Sequence, residues 1–400
     1  MNNIKLDFPI LDKKIRDKAI TYLDSAASTQ KPKQVINSIS EFLENSYENV
    51  HRGMNSLSID ATDLYEKSRD VAKNFINSNS TNEIIFTRGA TDSINIIANS
   101  LAEHLKEGDK IVVTELEHHS NYLPWMNLCK KLGLELKIIP ISKDGILSED
   151  DIINNCDDST KVLSLTHMSN VTGQILDIKK IKKSINKDTY VAVDGCQSIA
   201  HLKIDVKDLD CDFYSFSSHK LYGPSGIGIM YGKEDILNKL NPPTLGGGMI
   251  NEVSSNDFSY AMLPNKFEPG TPSIEAAIGF KTAMEYLNNN NYQDYFLNEK
   301  KLRSTLIKAL REFKEVDIYG SNEDGNATSI VSFNIKNQNF NDIATFLDQY
   351  GIMIRGGHHC CQPFMKKLGI PGSCRVSFGI YNDLNDICLL YTSPSPRDRE

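Results

Sequence analysis

The chain has 400 residues, 40% of them apolar and 24% charged, with a formal net charge of −8. That balance describes a soluble globular protein long enough for two domains; it argues against a nucleic-acid surface, and no run of about 18 apolar residues is present to span a membrane. Eight scattered cysteines without framework spacing, and a start (Met1-Asn2-Asn3-Ile4-Lys5) unlike a signal peptide, predict a cytoplasmic protein with free thiols.

In chain order, Tyr22-Leu23-Asp24-Ser25-Ala26-Ala27-Ser28 reads as a short strand running into a loop. Residues 32–44 have helical periodicity. Residues 56–76 read as a long helix with Ile59, Leu64, Val71, Ala72 and Phe75 on its apolar face. Strands are predicted over 83–87, 110–114, 134–140, 161–166, 190–194, 213–217 and 226–231, with helices between several of them. Strands alternating with helices imply an α/β fold whose sheet is mostly parallel. In such sheets ligands lie beyond the carboxyl ends of the strands. After a break at 287 come a helix over 292–313 and strands near 330–335, 352–355 and 375–378. This pattern predicts a large domain over 20–287 and a smaller α+β domain from 1–19 and 288–387.

Four strand ends carry the chemistry. Gly89-Ala90-Thr91 precedes a helical segment, and a glycine turn before a helix presents free N–H groups to an anion such as a phosphate. Glu117-His118-His119 places an imidazole at a second end, suited to stacking and to proton transfer near neutrality. A third strand ends on Asp194, with Gln197 close behind. Lys220 follows 26 residues after Asp194, in Ser217-Ser218-His219-Lys220-Leu221-Tyr222-Gly223-Pro224. Singly, Lys220 reads as a surface lysine beside a turn and Asp194 as a helix cap. Together they are what a pyridoxal phosphate enzyme requires: a lysine to form a Schiff base and a carboxylate to pair with the pyridine nitrogen.

Arg355-Gly356-Gly357-His358-His359-Cys360-Cys361 lies on a glycine-rich segment of the smaller domain. Zinc is disfavoured, because adjacent residues rarely converge on one ion and C-x-x-C spacing is missing. No metal is expected. A nucleophilic thiolate near cationic groups is the better reading. Arg375, after Cys374, offers a planar fork for a carboxylate.

The C-terminus breaks the pattern. Residues 383–387 read as a helix start, and Pro394 and Pro396 then arrive. Residues 388–398 match one reading frame of a transposase-derived sequencing adapter, so 388–400 is read as an adapter-derived tail and the last helix as truncated near Ile387. Different codons in the source DNA would sink that reading.

With these residues in place, the chain resembles the class V (fold-type I) pyridoxal phosphate enzymes, and more closely the group II cysteine desulfurases of the SUF iron–sulfur assembly type. The matching segments are Tyr22 to Ser28, Asn49-Val50-His51-Arg52-Gly53, Phe86 to Asn95, Glu117-His118-His119, His167-Met168-Ser169-Asn170-Val171, Val193 to Gln197, Phe216 to Gly228, Glu268-Pro269-Gly270-Thr271-Pro272, Arg355 to Cys361 and Cys374-Arg375. The resemblance implies that Lys220 holds the cofactor and moves the substrate Cα proton. Asp194 would pair with the ring nitrogen, Gln197 bond the ring oxygen and His118 stack on the ring. Thr91, Ser217 and His219 would bind the phosphate, joined by Thr271 from the neighbouring subunit of a homodimer. Asn170, Arg375, Arg355 and His51 would serve the substrate, with Arg375 on its carboxylate. Cys360 would take the sulfur of L-cysteine as a persulfide, release alanine, and pass the sulfur to an acceptor protein of the SUF system.

The family often has Arg-Thr-Gly-His-His-Cys-Ala where this chain has Gly356 and Cys361, so a second thiol stands beside the nucleophile. Alternatives are a selenocysteine lyase, a cysteine sulfinate desulfinase, or a silent scaffold of the same fold.

Overall fold

The computed structural model describes residues 4–320 and 326–392. Its centre is a seven-stranded sheet of β1 (Ile84–Thr87), β2 (Lys110–Thr114), β3 (Glu135–Ile139), β4 (Thr160–Thr166), β5 (Tyr190–Asp194), β6 (Phe213–Ser217) and β7 (Gly228–Gly232), in the order β1-β7-β6-β5-β4-β2-β3. Strands β6, β5, β4, β2 and β3 run parallel, whereas β7 is antiparallel to both its neighbours. Strands β1, β2 and β6 are buried along their whole length, as expected when helices cover both faces. Alternate residues serve opposite faces. Ile111 and Val113 pack with Ile94, Ile97 and Trp125, whereas Val112, Leu163 and Val193 join the larger core on the other face.

Helices α1 (Lys33–Asn45) and α2 (Ser56–Phe75) pack with α5 (Ile274–Asn289) on the larger core. Helix α3 (Ala90–Leu101) follows β1, and α4 (His119–Leu132) follows β2 and lies beside α3. The carboxyl ends of β2, β4, β5 and β6 thus open at one edge of the layer, beside the amino ends of α3 and α4.

The remaining elements are α6 (Tyr292–Arg311), β8 (Val316–Tyr319), β9 (Ile330–Ile335), α7 (Phe340–Asp348), β10 (Arg355–Gly357), α8 (Gln362–Leu368), β11 (Ser373–Ser377) and α9 (Leu384–Thr392). The antiparallel sheet β8-β9-β11-β10 shares a third core of Leu302, Leu306, Phe333, Val376 and Ile387. The predicted strand over 352–355 divides: Ile352–Met353 pairs in parallel with Thr21–Tyr22, and Arg355 begins β10. Leu23 packs in the third core, whereas Ile4 and Phe8 join the first, where Phe8 meets Tyr222, Tyr286 and Tyr381 edge-on.

Helix α9 continues past Ile387 into the residues read as adapter-derived: Cys388-Leu389-Leu390 suits a helix, and Leu390 is buried in the third core. The rest of the tail, 393–400, lies outside the described residues.

Candidate active site

A pocket of about 170 Å³ opens at the carboxyl edge of the large sheet. It gathers Thr91, His118, Asn170, Asp194, Ser217, His219, Lys220, Arg355, Cys360 and Arg375, ten of the residues singled out from the sequence.

One end is built by a turn. Gly89 takes φ +146°, a conformation L side chains rarely adopt, and a Cβ there would lie 3.2 Å from Ser217 Oγ. Gly228 on β7 faces the same turn; a Cβ on it would fall 2.6 Å from Gly89 Cα. With the backbone drawn in, the Ala90 N–H donates to Ser217 Oγ at 2.8 Å. Glycine gives α3 no side-chain cap, so the first-turn amides after Ala90 and the positive end of the helix dipole are left for an anion. The Thr91 hydroxyl stands 2.7 Å from Ser120 Oγ beside them.

His118 caps α4. Its Nδ1 accepts the Ser120 N–H at 3.1 Å, which leaves the ring proton on Nε2. Burial, and then the positive charge of Lys220, pushes its pKa down to about 3. The expectation of an imidazole titrating near neutrality is therefore corrected: the ring is neutral, because its turn is buried among cations. His219 is likewise pushed down to about 4 by burial, then by Lys220 and Lys31.

Asp194 is only 5% exposed, yet it has no salt-bridge partner among the described residues. Its Oδ1 accepts the Cys196 N–H at 2.9 Å. A buried carboxylate without a counter-charge is costly unless something cationic or N–H-bearing meets it. Lys220 ends the single turn Ser218–Lys220 after β6. Its ammonium is half-buried in the pocket wall and makes no hydrogen bond or ion pair among the described residues.

The opposite wall comes from the smaller sheet. Arg355 and Arg375 stand directly across from each other on β10 and β11. Like charges in register oppose each other. Burial, only partly offset by Asp24, lowers the pKa of Arg375, and Arg355 adds to that lowering. Arg375 donates from Nη2 to Asp24 Oδ1 at 2.9 Å and from Nη1 to the Asn170 carbonyl at 3.0 Å, while its buried Nε has no partner. Asp24 pairs with Arg375, and Arg355 adds a second guanidinium to the wall.

Cys360 lies on the tight connection between β10 and α8. His359 and Cys360 both hold positive φ, 52° and 54°, which costs about 1–3 kcal/mol per residue and persists only where surroundings over-determine it. Here they do. Asn170 Nδ2 donates to the His359 carbonyl at 2.8 Å, and the His119 N–H to the Cys360 carbonyl at 2.8 Å. His359 Nε2 lies 3.0 Å from Ser373 Oγ. Cys361 turns the other way: fully buried, it donates from Sγ to the Glu117 carbonyl at 3.2 Å, and burial raises its thiol pKa strongly.

Three expected site residues lie elsewhere. Gln197 does not line the pocket; its amide nitrogen donates to the Ala26 carbonyl at 2.9 Å. Thr271 and His51 line a separate cavity of about 210 Å³ with Asn49, Arg52 and Glu268. His51 Nε2 is 2.8 Å from Glu66 Oε1. Conversely, Asp24 and Glu117 were not among the site residues named from the sequence, although both sit in segments that drew attention. Glu117 accepts from Thr114 Oγ1, Asn121 Nδ2 and the Thr166 N–H, tying β2, α4 and β4 together under His118. Burial pushes its pKa up to about 8.

Comparison with known proteins bears on the family and the fold. The family model for class-V aminotransferases matches residues 21–390. The probable cysteine desulfurase of Staphylococcus epidermidis is 44% identical over 383 residues, covering 95% of this chain and 92% of its own. Among solved structures, a cysteine desulfurase from Thermococcus onnurineus superposes with a TM-score of 0.92 at 36% identity, covering 97% of this chain and 96% of its own. The cysteine desulfurase CsdA from Escherichia coli superposes at 0.89 with 33% identity, covering 98% and 97%. The chain belongs to the class-V aminotransferase family, and its architecture is fold-type I.

Proposed function

We propose that this protein is a pyridoxal phosphate-dependent cysteine desulfurase that converts L-cysteine to L-alanine and keeps the sulfur as a persulfide on Cys360. One observation carries the reading: a single pocket holds Lys220, the buried Asp194 and Cys360, the first two without an ion-pair partner among the described residues, beside Arg355 and an Arg375 paired with Asp24. Relatives named as cysteine desulfurases support it.

The residues fit the cofactor. Asp194 would meet the ring nitrogen, the neutral His118 ring would lie against the ring face, and Thr91, Ser217, His219 and the α3 amides would hold the phosphate. When bound, pyridoxal phosphate supplies a sink for the electron pair left when the substrate Cα–H bond breaks. Arg355 and Arg375 hold the substrate carboxylate, with Asn170 beside them. Lys220 Nζ takes the Cα proton. The Cys360 thiolate attacks the substrate sulfur: an S–S bond forms, the C–S bond breaks, and the substrate carbon is reprotonated to give alanine. The pocket is shut off from Cys361, so the persulfide stays on Cys360 until an acceptor protein, of the SUF type in this reading, collects it.

That Thr271 lines a cavity apart from its own chain's Lys220 supports the reading in which it reaches the phosphate site of a neighbouring subunit in a homodimer. Eight free thiols suit the reducing cytoplasm, and no described helix is long and apolar enough to cross a membrane.

The test is to load the purified protein with cofactor, add L-cysteine, and measure alanine and the Cys360 persulfide by mass spectrometry beside Cys360→Ala, with light scattering for subunit number. Alanine plus a persulfide that vanishes in the variant is expected. Alanine released equally by Cys360→Ala would overturn the role of Cys360. A preference for selenocysteine or cysteine sulfinate would move the assignment to those lyases.

A further inference from the structure

The peptide carbonyl that precedes Lys220 is gripped from one side by a single short segment. The His219 carbonyl accepts from the Thr29 N–H at 3.0 Å, from Thr29 Oγ1 at 3.1 Å, from Ser28 Oγ at 3.2 Å and from Lys31 Nζ at 3.1 Å. A carbonyl has two lone pairs, so four donors crowd one acceptor. The same segment also holds the chain beyond the lysine: Thr29 Oγ1 accepts the Tyr222 N–H at 2.8 Å. Tyr222 has φ +60°, a left-handed conformation that a bulky residue keeps only under constraint. Lys220 is thus pinned on both sides, at the carbonyl of residue 219 and the amide of residue 222.

Lys31 is the one charged donor in this set, and charge-assisted bonds are roughly twice as strong as neutral ones. Its ammonium donates only to carbonyls, those of His219 and Thr29, and has no carboxylate partner among the described residues. Lys31 is half-buried, and an ammonium drawn even partly out of water without an acid beside it carries a cost that a fully exposed lysine avoids. Burial lowers its pKa to about 8.

We propose that Lys31, with Ser28 and Thr29, is a positioning clamp that fixes the backbone on either side of Lys220 and so aims its amine. This rests on the desulfurase reading above, in which Lys220 must reach both cofactor and substrate Cα. Lys31 lines none of the pocket, so it acts through His219 and Lys220 and touches no reacting atom. A misplaced catalytic group costs rate more than binding.

The experiment compares Lys31→Met, Lys31→Arg and Thr29→Val with the parent holoenzyme. Visible circular dichroism per bound cofactor reports the fixed orientation of the lysine-linked ring, and steady-state kinetics with L-cysteine separates kcat from KM. Thermal unfolding checks the fold. Lys31→Met is expected to lower kcat about tenfold with KM within about twofold, and to reduce the dichroism per cofactor. Lys31→Arg should recover most of both. The proposal is overturned if Lys31→Met keeps parental kcat and dichroism, or if Lys31→Arg fails to recover what Lys31→Met loses. If Lys31→Met does not fold, Thr29→Val decides: unchanged kcat and dichroism there also overturn it. A parent enzyme that binds cofactor but makes no alanine would instead sink the desulfurase reading, and the dichroism comparison would still judge the clamp.

Discussion

Two adjacent cysteines, Cys360 and Cys361, meet opposite fates because adjacent side chains on an irregular turn point apart. Cys360 lines the pocket with no hydrogen bond to its thiol among the described residues, while Cys361 is fully buried and bonded to the Glu117 carbonyl. Burial raises the Cys361 pKa strongly, so it stays a thiol and has no route to sulfur. Cys361→Ala is therefore expected to form persulfide on Cys360 at a rate within about twofold of the parent. It should lose about 1 kcal/mol of stability for the emptied space. Loss of activity comparable to that of Cys360→Ala, measured by alanine release, would contradict this division of roles. The sequence placed a thiol at each position but could not tell them apart. Burial is a property of the packed turn, and the Arg355-to-Cys361 motif reads the same whichever cysteine faces in.

At the scale of elements, the phosphate end of the pocket depends on how closely β7 approaches the turn between β1 and α3. Gly228 leaves no room for a side chain: the nearest atoms are the Gly89 Cα and the Phe216 carbonyl oxygen, both at 2.6 Å from an added Cβ. Both are backbone, so neither can rotate aside. Gly228→Ala should push the turn away from Ser217, cost about 1–3 kcal/mol, and weaken cofactor retention. Urea midpoints and cofactor per subunit after dialysis measure the two effects. Parental values for both would mean that the approach is not needed. Strands and helices were legible here because the buried strands are mostly apolar and the apolar residues of α2 recur at helical spacing. It did not reveal that residues 352–355 split between two sheets. A four-residue run carries too little periodicity to show a change of partner.

At the scale of the whole molecule, buried titratable groups set how stability varies with pH. His167 and His359 are buried and held down to about 4 and about 2. Unfolded, such rings take protons as pH falls through their ordinary 6.5. Between those limits the unfolded chain binds more protons, so stability is lost as pH falls below 6.5. Glu117 works the other way: its carboxyl titrates near 8 folded against an ordinary 4.5. There the folded state binds more protons, and stability falls as pH rises through that range. His118 and His219, held down in the pocket, add to His167 and His359, so the four rings outweigh one carboxyl below 6.5 and leave the maximum near pH 6.5. Denaturation midpoints from pH 4.5 to 8.5 should follow that shape, and Glu117→Gln should flatten the decline above 6.5. A parent midpoint that does not fall between pH 6.5 and 4.5 would contradict it.

The sequence by itself determined the α/β class, because apolar strands and amphipathic helices alternate along the chain, and it offered Asp194, Lys220 and Cys360 as candidates, because each is commonplace alone and only their combination points to one chemistry. Only the tertiary structure decided which of them share a space. Ten meet in one pocket, while Thr271, His51 and Gln197 do not. It also decided their protonation and their supports: a neutral His118, the buried Glu117 beneath it and the Lys31 contact behind Lys220 all depend on burial and on partners more than 40 residues away. Such partners leave no local periodicity. Hydrogen bonds and desolvation act through space, and space is assembled only when the sheets close.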